Sequence, residues 1–355
     1  MTGYRVVFEN VGKAALQPFE VQQPKAGEVL LENEFTVISA GTERANLMNM
    51  PNTGPSKNAD FGTLAAPDPS EKFPFYPGYC GVGRVIAVGE GVEGVKVGTR
   101  AIAGWSGHRS HAIQSTGRLT LVEDESIDPL EAAFMVIATF SLGGVRKLRL
   151  EIGESAMVVG LGLLGMFAVQ VAALSGAVPV IVTDFDKARR DLALSLGADY
   201  AFSPDEEHLP EKIREITYGK GVDGIVEVTG SAKALQQALT YVAREGRVSL
   251  LGCTRVSDAP IDFYQYVHQR GVSLIGAHNF VRPKYESKPG YWTEKDDFRT
   301  LLALLSLKKL KVRPIISEVV SPLKAAEVYA RLAEDLNPPL GIVFDWNQIK
   351  NANKG

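Results

Sequence analysis

The 355-residue chain is predicted to be an α/β protein, in which a doubly wound parallel sheet is combined with a second, β-rich domain. Up to about residue 122, short β-branched runs are separated by glycine and proline, which is typical of a small barrel-like all-β domain. From residue 130 onward, helical and strand patterns alternate, and such alternation predicts βαβ units and a parallel sheet covered on both faces. After residue 278 a tail too short to fold alone is expected to return and complete the first domain.

Each element follows from its local pattern. Short Val/Ile-rich runs between turn residues predict strands, and longer runs with apolar residues three and four apart predict helices. In the first part we predict strands at 4–8, 28–39, 83–88, 99–103 and 119–122. In the second part we predict helices at 129–148, 164–174, 187–196 and 232–241, and strands at 156–159, 178–183, 224–228, 247–251 and 272–276. The tail reads as helix 297–307, strand 314–319, helix 324–332 and strand 341–345, and a long polar loop is expected at 50–74.

The most specific signal is a G-x-G-x-x-G motif between the strand at 156–159 and the helix that follows it. Its glycines are Gly160, Gly162 and Gly165. The first permits a tight turn, the second lets the backbone approach a pyrophosphate, and the third lets helix pack on strand, while the helix N-terminus supplies free N–H groups. The pattern therefore predicts a Rossmann-type dinucleotide site, with the backbone of Leu163 and Leu164 at its phosphates.

An acid at the end of the next strand indicates which dinucleotide binds. Asp184 lies about twenty residues past the glycines, where the fingerprint places an acid on the adenosine ribose hydroxyls. A carboxylate there would repel a 2′-phosphate, so NAD is favoured over NADP. Arg189 and Arg190 lie nearby and would blunt that preference or, alternatively, belong to a solvated helix face.

Length and composition set further bounds. The length favours two domains, and 45% hydrophobic with 22% charged residues is ordinary for a soluble globular protein. A net charge of −3 does not indicate a basic surface that would bind nucleic acid or anionic lipid. No apolar run is long enough to span a bilayer and the N-terminus lacks a secretory pattern, so a cytoplasmic protein is expected. Two cysteines far apart argue against a disulfide framework.

Motifs along the whole chain resemble the medium-chain dehydrogenase/reductase superfamily, the alcohol dehydrogenase-like enzymes. The stretch F-Y-P-G-Y-C-G-V-G-R-V at 75–85 resembles P-G-H-E-x-x-G-x-V, and V-G-E-G-V at 88–92 followed by V-G-T-R-A at 97–101 resembles V-G-x-x-V…G-D-x-V. The resemblance implies a discontinuous GroES-like β-barrel catalytic domain over 1–137 and 281–355, a Rossmann NAD-binding domain over 138–280, a small-molecule substrate and a homodimer. The strand at 272–276 is a plausible sheet edge for that pairing.

The metal positions of that family depart from its pattern. Catalytic zinc is held there by a cysteine, the histidine of P-G-H-E and a later cysteine or acid. The resemblance places Glu43, Tyr79 and Met135 at these positions, and a neutral phenol and a thioether are poor zinc ligands. The four-cysteine structural zinc lobe is also missing between residues 102 and 111. We therefore expect no zinc, with a cluster of Glu43, Cys80, His108 and His111 as the alternative.

Without a Lewis acid, the reaction needs side chains that move a proton. The resemblance makes Tyr79 the first candidate, because a phenol can donate to a developing alkoxide. Glu43 is the second, as a base or as the group that orients Tyr79, and His108 is a third, with His111 as a further proton relay. The alternatives are a packed turn aromatic at 79, pairing of Glu43 with Arg44 or solvent, and structural histidines.

Further cofactor residues come from the resemblance. It assigns Arg44 to the pyrophosphate and Thr139 to the nicotinamide, and it places four others at carboxyl ends of strands, where open α/β sheets bind ligands: Thr229, Gly252, Cys253 and Ala277. The alternative for each is sheet packing.

A polar and aromatic loop after the last Rossmann strand suggests a substrate class. Its candidates are His278, Asn279, Arg282, Tyr291 and Trp292. Hydrogen-bonding groups beside aromatic faces suit a sugar, glycoside or cyclitol, and the alternative is an interdomain or dimer contact.

The predicted function is NAD-dependent, zinc-free oxidation or reduction of a secondary alcohol or ketone on such a polyol. The stretch S-A-G-T-E at 39–43 also resembles the bacteriochlorophyllide dehydrogenase-like branch, which keeps alcohol chemistry on a large substrate. One rival is a zinc-free quinone or enoyl reductase, against which Asp184 counts because that branch usually prefers NADPH. The other is a non-catalytic NAD(H)-binding protein, which fold resemblance does not exclude.

Overall fold

A computed structural model describes residues 1–53 and 68–352, so most of the loop predicted at 50–74 lies outside the described residues. Two compact units are present, Met1–Ile137 with Leu302–Gly355, and Ala138–Leu301. Among the described residues, no helix is both long enough and apolar enough to cross a membrane.

Strands dominate the first part of the chain and alternate with helices in the second. The strands are β1 (Thr2–Asn10), β2 (Lys13–Glu20), β3 (Glu28–Ile38), β4 (Gly81–Val88), β5 (Arg100–Ile102), β6 (His111–Ser115), β7 (Thr120–Leu121), β8 (Ala156–Val159), β9 (Val180–Thr183), β10 (Tyr200–Phe202), β11 (Val222–Glu227), β12 (Val242–Leu250), β13 (Ser273–Gly276), β14 (Ile316–Val320) and β15 (Gly341–Asp345). The helices are α1 (Ala40–Leu47), α2 (Pro69–Lys72), α3 (Pro129–Ala132), α4 (Met135–Leu148), α5 (Leu163–Leu174), α6 (Lys187–Ser195), α7 (Leu209–Ile216), α8 (Ala232–Ala238), α9 (Glu294–Ser306), α10 (Ala325–Glu334) and α11 (Asn347–Ala352).

The first unit is built on a β1-β2 hairpin and a sheet of order β14-β15-β3-β4-β5-β7, with β6 also paired to β3. The tail returns to this sheet, since β15 pairs antiparallel with β3. Its core includes Phe8, Tyr329, Phe344 and Trp346. Closure of this sheet into a barrel stays a prediction.

The second unit carries a parallel sheet of order β10-β9-β8-β11-β12-β13. All four residues of β8 and of β9 are buried, as expected for strands covered on both faces. The predicted α/β class with a Rossmann-type parallel sheet is confirmed. The strand predicted to form the edge, β13, is the last of the sheet.

The second domain boundary differs from the sequence prediction. The sequence predicts that the chain leaves the Rossmann unit at residue 281, but residues 281–301 belong to it and the first unit resumes at Leu302. The physical reason is a set of charged contacts: Arg282 and Arg146 both face Asp297 of α9, which ties this segment to α4.

Candidate functional site

The glycine motif forms a tight turn from β8 into α5. Gly160 has φ +94°, a left-handed conformation that favours glycine. A Cβ on Gly165 would lie 2.0 Å from the Gly160 carbonyl oxygen, so only glycine lets α5 pack this closely on the turn. A Cβ on Gly162 would have no neighbour within 4 Å, so the space above this backbone is open.

The start of α5 presents backbone donors beside that open space. Gly162 is the N-cap and makes no side-chain capping bond. Its carbonyl accepts from Met166 N, so the N–H groups of Leu163, Leu164 and Gly165 precede the first intrahelical bond. Such a helix start favours an anion, and these residues fit the pyrophosphate of a dinucleotide.

Asp184 lies beside this loop. Its Oδ2 accepts from Leu161 N (2.7 Å) and its Oδ1 from Asp186 N (2.9 Å), which fixes the carboxylate next to the glycines. A carboxylate has about four acceptor positions, so two remain for ribose hydroxyls. Arg190 donates to the carbonyls of Asp184 and Phe185, so its guanidinium braces this turn. The backbone N of Arg189 donates to Asp186 Oδ1 at 3.2 Å.

The carboxyl ends of β11 and β12 meet next to Gly160. A Cβ on Gly160 would lie 2.7 Å from Thr229 Cγ2, and a Cβ on Gly252 would lie 2.4 Å from Gly230 N, so these backbones are in close contact. Thr229 donates through both N and Oγ1 to Glu227. Burial raises the pKa of Glu227, against the effect of these hydrogen bonds. Thr229 is therefore held in place by the buried carboxylate of Glu227.

For the remaining predicted cofactor residues, the structure gives burial and local contacts but no clear cofactor-binding geometry. Cys253 is exposed and free, and Ala277 is buried, with its N bonded to Leu250 O at 3.1 Å. Thr139 is fully buried in α4. Arg44 of α1 has a buried Nε without a hydrogen-bond partner and an Nη1 at 4.0 Å from Met50 Sδ. Their contacts with a cofactor stay predictions.

In the first unit, Tyr79 is joined to α1 through a serine. Its hydroxyl donates to Ser39 Oγ at 2.5 Å, and its ring stacks on Trp105 with centroids 5.2 Å apart. Burial raises the pKa of Tyr79, only partly opposed by hydrogen bonds to Ser39 and Thr42. At neutral pH this phenol is protonated and able to donate.

Glu43 and His108 form a buried pair rather than an open site. Glu43 is 2% exposed; its Oε2 receives hydrogen bonds from His108 Nε2 (3.0 Å) and Tyr329 Oη (2.5 Å), and its Oε1 from Ser39 N (2.9 Å). Because a carboxylate only accepts, the proton of His108 lies on Nε2 in either of its charge states. Burial opposes ionisation, but His108 and these hydrogen bonds outweigh it, so the pKa of Glu43 is lowered. On the far side His108 Nδ1 meets Thr36 Oγ1 at 2.8 Å.

The two predicted groups are thus connected through Ser39, whose N bonds Glu43 and whose Oγ bonds Tyr79. Glu43 positions the serine that Tyr79 contacts. Ser39 and Tyr329 were missed by sequence reasoning. Ser39 begins the S-A-G-T-E stretch and could have been considered, whereas Tyr329 lies 286 residues from Glu43 and gave no signal.

The residues that the resemblance places at the catalytic metal positions are poor zinc ligands as the structure has them. All three donors around Glu43 already occupy its oxygens, Tyr79 is a neutral phenol, and Met135 is fully buried. The neighbouring Cys80 donates to Ala133 O, and burial raises its pKa to about 12, so it stays a thiol. His111 bonds Ser110 Oγ. Within residues 1–53 and 68–352 no three side chains of His, Cys, Asp or Glu are grouped to hold a metal ion.

The predicted substrate loop packs largely on its own unit. The Arg146 guanidinium lies 3.7 Å from the Trp292 ring and bonds Asp297, and Lys147 Nζ lies 5.1 Å from the Tyr291 ring. Both Nη atoms of Arg282 are buried. These contacts give Arg282, Tyr291 and Trp292 structural partners, and their contact with a substrate stays a prediction.

Two residues at the start of that loop are less enclosed. His278 is exposed and Asn279 is half-buried. His278 Nδ1 accepts from Phe280 N at 3.2 Å, and partial desolvation of the ring lowers the pKa of His278. Their contact with substrate stays a prediction.

A parallel sheet with this glycine loop, this helix start and this acid defines a Rossmann protein of the dinucleotide-binding class. The family described as zinc-binding dehydrogenase matches residues 164–303. The chain is 31% identical to the L-threonine 3-dehydrogenase of Pyrococcus abyssi over 268 residues, 66% of this chain and 72% of that enzyme. It is 29% identical to the D-guloside 3-dehydrogenase of Escherichia coli over 212 residues, 58% of this chain and 59% of that enzyme.

A solved structure extends the similarity in fold. The 2R,3R-butanediol dehydrogenase of Bacillus subtilis matches with a TM-score of 0.77 at 20% identity, covering 97% of this chain and 99% of that one. In sequence, the match with other Pyrococcus L-threonine 3-dehydrogenases spans only 44% of their length. The chain belongs to the medium-chain dehydrogenase/reductase superfamily, as its motifs predict.

Proposed function

We propose that this protein is an NAD-dependent oxidoreductase that interconverts a secondary alcohol and a ketone on a polyol, sugar or cyclitol-like substrate without zinc. The observation that carries the proposal is the glycine loop with Asp184 fixed beside it by Leu161 N. It supports the proposal because a helix start that favours an anion and a carboxylate with free acceptor positions lie in one turn.

The cofactor preference rests on charge. The carboxylate of Asp184 is positioned to accept ribose hydroxyls and would repel a 2′-phosphate. The guanidinium of Arg190 at this turn is already bonded to two backbone carbonyls. NAD is therefore favoured over NADP. When bound, the nicotinamide supplies the hydride acceptor or donor.

Tyr79 is assigned the proton transfer. Its phenol holds a proton at neutral pH, so in the reducing direction Oη–H donates to the carbonyl oxygen as negative charge develops there. The Ser39 hydroxyl, 2.5 Å from Oη, then donates to the tyrosinate. Glu43 holds Ser39 through its N–H and is a positioning residue, and His108 holds Glu43 from the opposite side.

The substrate class draws on the relatives and on Trp105. One named relative acts on a guloside and another on threonine, and both compounds carry a secondary hydroxyl at the carbon numbered in the enzyme name. Trp105 is 45% exposed and stacks on Tyr79, so an apolar ring face lies next to the proposed proton donor. Aromatic faces of this kind suit the C–H face of a sugar or cyclitol ring.

A homodimer is proposed on the surface around β13. This strand stands at the sheet edge, and nearby segments expose large apolar side chains, including Phe263 (56%), Phe280 (80%) and Tyr285 (86%). Unpaired edges and exposed apolar groups favour association. Light scattering is expected to give twice the chain mass of 38.4 kDa, and a monomer at working concentration would exclude this mode of assembly.

The experiment is a substrate panel with chelator-treated protein. NADH formation is followed with NAD and polyols, cyclitols, glycosides and threonine, and NADH or NADPH consumption with quinones and enones in parallel. Oxidation of a polyol that survives chelation supports the proposal. Turnover of enones alone would assign the protein to the reductase branch, and NADH binding without any turnover would indicate a non-catalytic binding protein.

A further inference from the structure

Two arginines of the first unit lie directly opposite each other on neighbouring backbone segments. Arg5 of β1 and Arg109 form an isolated antiparallel bridge. Val6 N donates to His108 O at 2.8 Å on one side of the bridge, which makes Arg5 and Arg109 a non-hydrogen-bonded pair. In such pairs the side chains are closest, and like charges directly opposite each other are destabilising.

Aromatic rings hold one of these guanidinium groups in place. Arg5 Cζ lies 4.4 Å from the centroid of the Tyr76 ring and 5.6 Å from that of Phe19. Cation–π contacts of this length fix the guanidinium without neutralising it. The Nε atoms of Arg5 and Arg109 are buried without a hydrogen-bond partner, while both residues remain partly exposed.

The pair lacks a counter-charge in the part of the chain that the structure describes. There, neither guanidinium has a carboxylate oxygen within 4.0 Å. Burial and the charge of Arg5 together lower the pKa of Arg109. Two positive charges on directly opposite residues, each with an Nε that lacks a hydrogen-bond partner, are an arrangement that an anion would stabilise.

We propose that Arg5 and Arg109 bind a phosphate group, as inorganic phosphate or a phosphate monoester. A phosphate carries about −1.5 to −2 charges near pH 7, which matches the two cations. Its oxygens accept the parallel N–H pairs of a guanidinium fork, which a lysine cannot offer. A spherical halide would neutralise the charge but would not accept the two parallel N–H hydrogen bonds of a guanidinium.

The position of the pair suggests the source of the phosphate. Tyr76 lies three residues before Tyr79, and Arg109 directly follows His108, so the same two segments carry the proposed proton donor and the histidine that holds Glu43. A phosphorylated polyol substrate is therefore one source and free phosphate the other. The first of these rests on the proposed function, and the site itself does not.

Calorimetric titration of the NADH-saturated protein with inorganic phosphate tests the site. Saturation with NADH occupies the glycine loop, so phosphate is measured elsewhere. We expect one phosphate per chain, with affinity at least tenfold weaker in Arg5→Gln and Arg109→Gln and intermediate in Arg109→Lys. Arg118→Gln removes the same charge from an exposed position of the same unit and should bind within twofold of wild type.

Thermal unfolding without phosphate separates binding from a structural role. Because Arg109→Gln removes like-charge repulsion, its melting temperature should equal or exceed that of wild type in chloride buffer, and it should no longer rise on addition of phosphate. Equal phosphate affinity in all variants, equal loss in Arg118→Gln, or a lowered melting temperature of Arg109→Gln in chloride would overturn the proposal.

The two sources are distinguished by turnover. If the phosphate belongs to the substrate, a polyol phosphate should have a lower KM than the free polyol in wild type and lose that advantage in Arg109→Gln. If phosphate binds but KM does not differ, the ligand is the free anion. Absence of any alcohol turnover while phosphate still binds would count against the proposed function and not against this site.

Discussion

Replacing Glu43 with glutamine should strongly destabilise the first unit. Three donors converge on this carboxylate: Ser39 N, His108 Nε2 and Tyr329 Oη. A glutamine amide has one acceptor oxygen, so whichever way it is turned its NH2 group faces at least one of these donors. Breaking one partner out of a buried charged pair costs about 3–5 kcal/mol. For a unit of this size each kcal/mol lowers the melting temperature by about 2–4 °C, so Glu43→Gln should melt at least about 6 °C lower.

The assay is thermal unfolding followed by far-UV circular dichroism, with Glu318→Gln as the matched control. Glu318 makes a partly exposed ion pair with Arg331 in the same unit, and such pairs contribute about 0–1 kcal/mol. The stability difference should also depend on pH. Because folding lowers the pKa of Glu43 from 4.5, its contribution is complete above about pH 4.5 and is lost as the pH falls through the folded-state value. Melting of Glu43→Gln within about 2 °C of wild type at pH 7 would refute this account of the buried network.

Three further predictions concern the glycine loop, the acid and the pH range of activity. Gly162→Ala should fold like wild type but bind NADH at least tenfold more weakly, because its Cβ meets no protein atom yet fills the space for the pyrophosphate. Gly165→Ala should also have a lower melting temperature, because its Cβ would lie 2.0 Å from Gly160 O. Equal melting temperatures of the two variants would contradict this assignment of the glycines. Asp184→Asn should reduce kcat/KM for NAD by roughly 10–100-fold, which corresponds to the loss of one hydrogen bond to a charged group, and it should narrow the preference for NAD over NADP. The control Asp191→Asn removes an exposed ion pair with Lys187 and should leave kcat/KM and the cofactor preference unchanged. In the reducing direction, kcat should not fall between pH 7 and 9, because the raised pKa of Tyr79 keeps the phenol protonated. A fall in kcat below pH 9 that disappears in Tyr79→Phe would contradict this prediction.

The local features of the fold could be predicted from sequence because their signals are contiguous. The glycines, the helix start and Asp184 lie within one short stretch, and each has a spacing set by backbone geometry. The metal positions could also be compared one by one, and that comparison singles out Tyr79.

The partners of these residues could not be predicted, because they depend on how distant segments meet. Ser39 faces Tyr79 across 40 residues of sequence, and Glu43 meets His108 across 65. The predicted substrate loop could not be interpreted uniquely from its composition. Its cations and aromatic residues suit a sugar site, but arginines of the same unit also pair with Asp297 of α9 and stack on Trp292. Sequence alone does not distinguish these two roles.

The central claim is that Tyr79 donates the proton in an NADH-linked reduction of a ketone without zinc. The most direct test is kcat of chelator-treated wild type and Tyr79→Phe for NADH-dependent reduction of the ketone formed from the best polyol of the panel, with zinc content and NADH affinity measured on the same samples. The account predicts activity of wild type at negligible zinc content and a loss of about 10²–10⁴-fold in Tyr79→Phe with NADH affinity unchanged. Activity that rises in proportion to bound zinc, or a Tyr79→Phe variant within twofold of wild type, would contradict it.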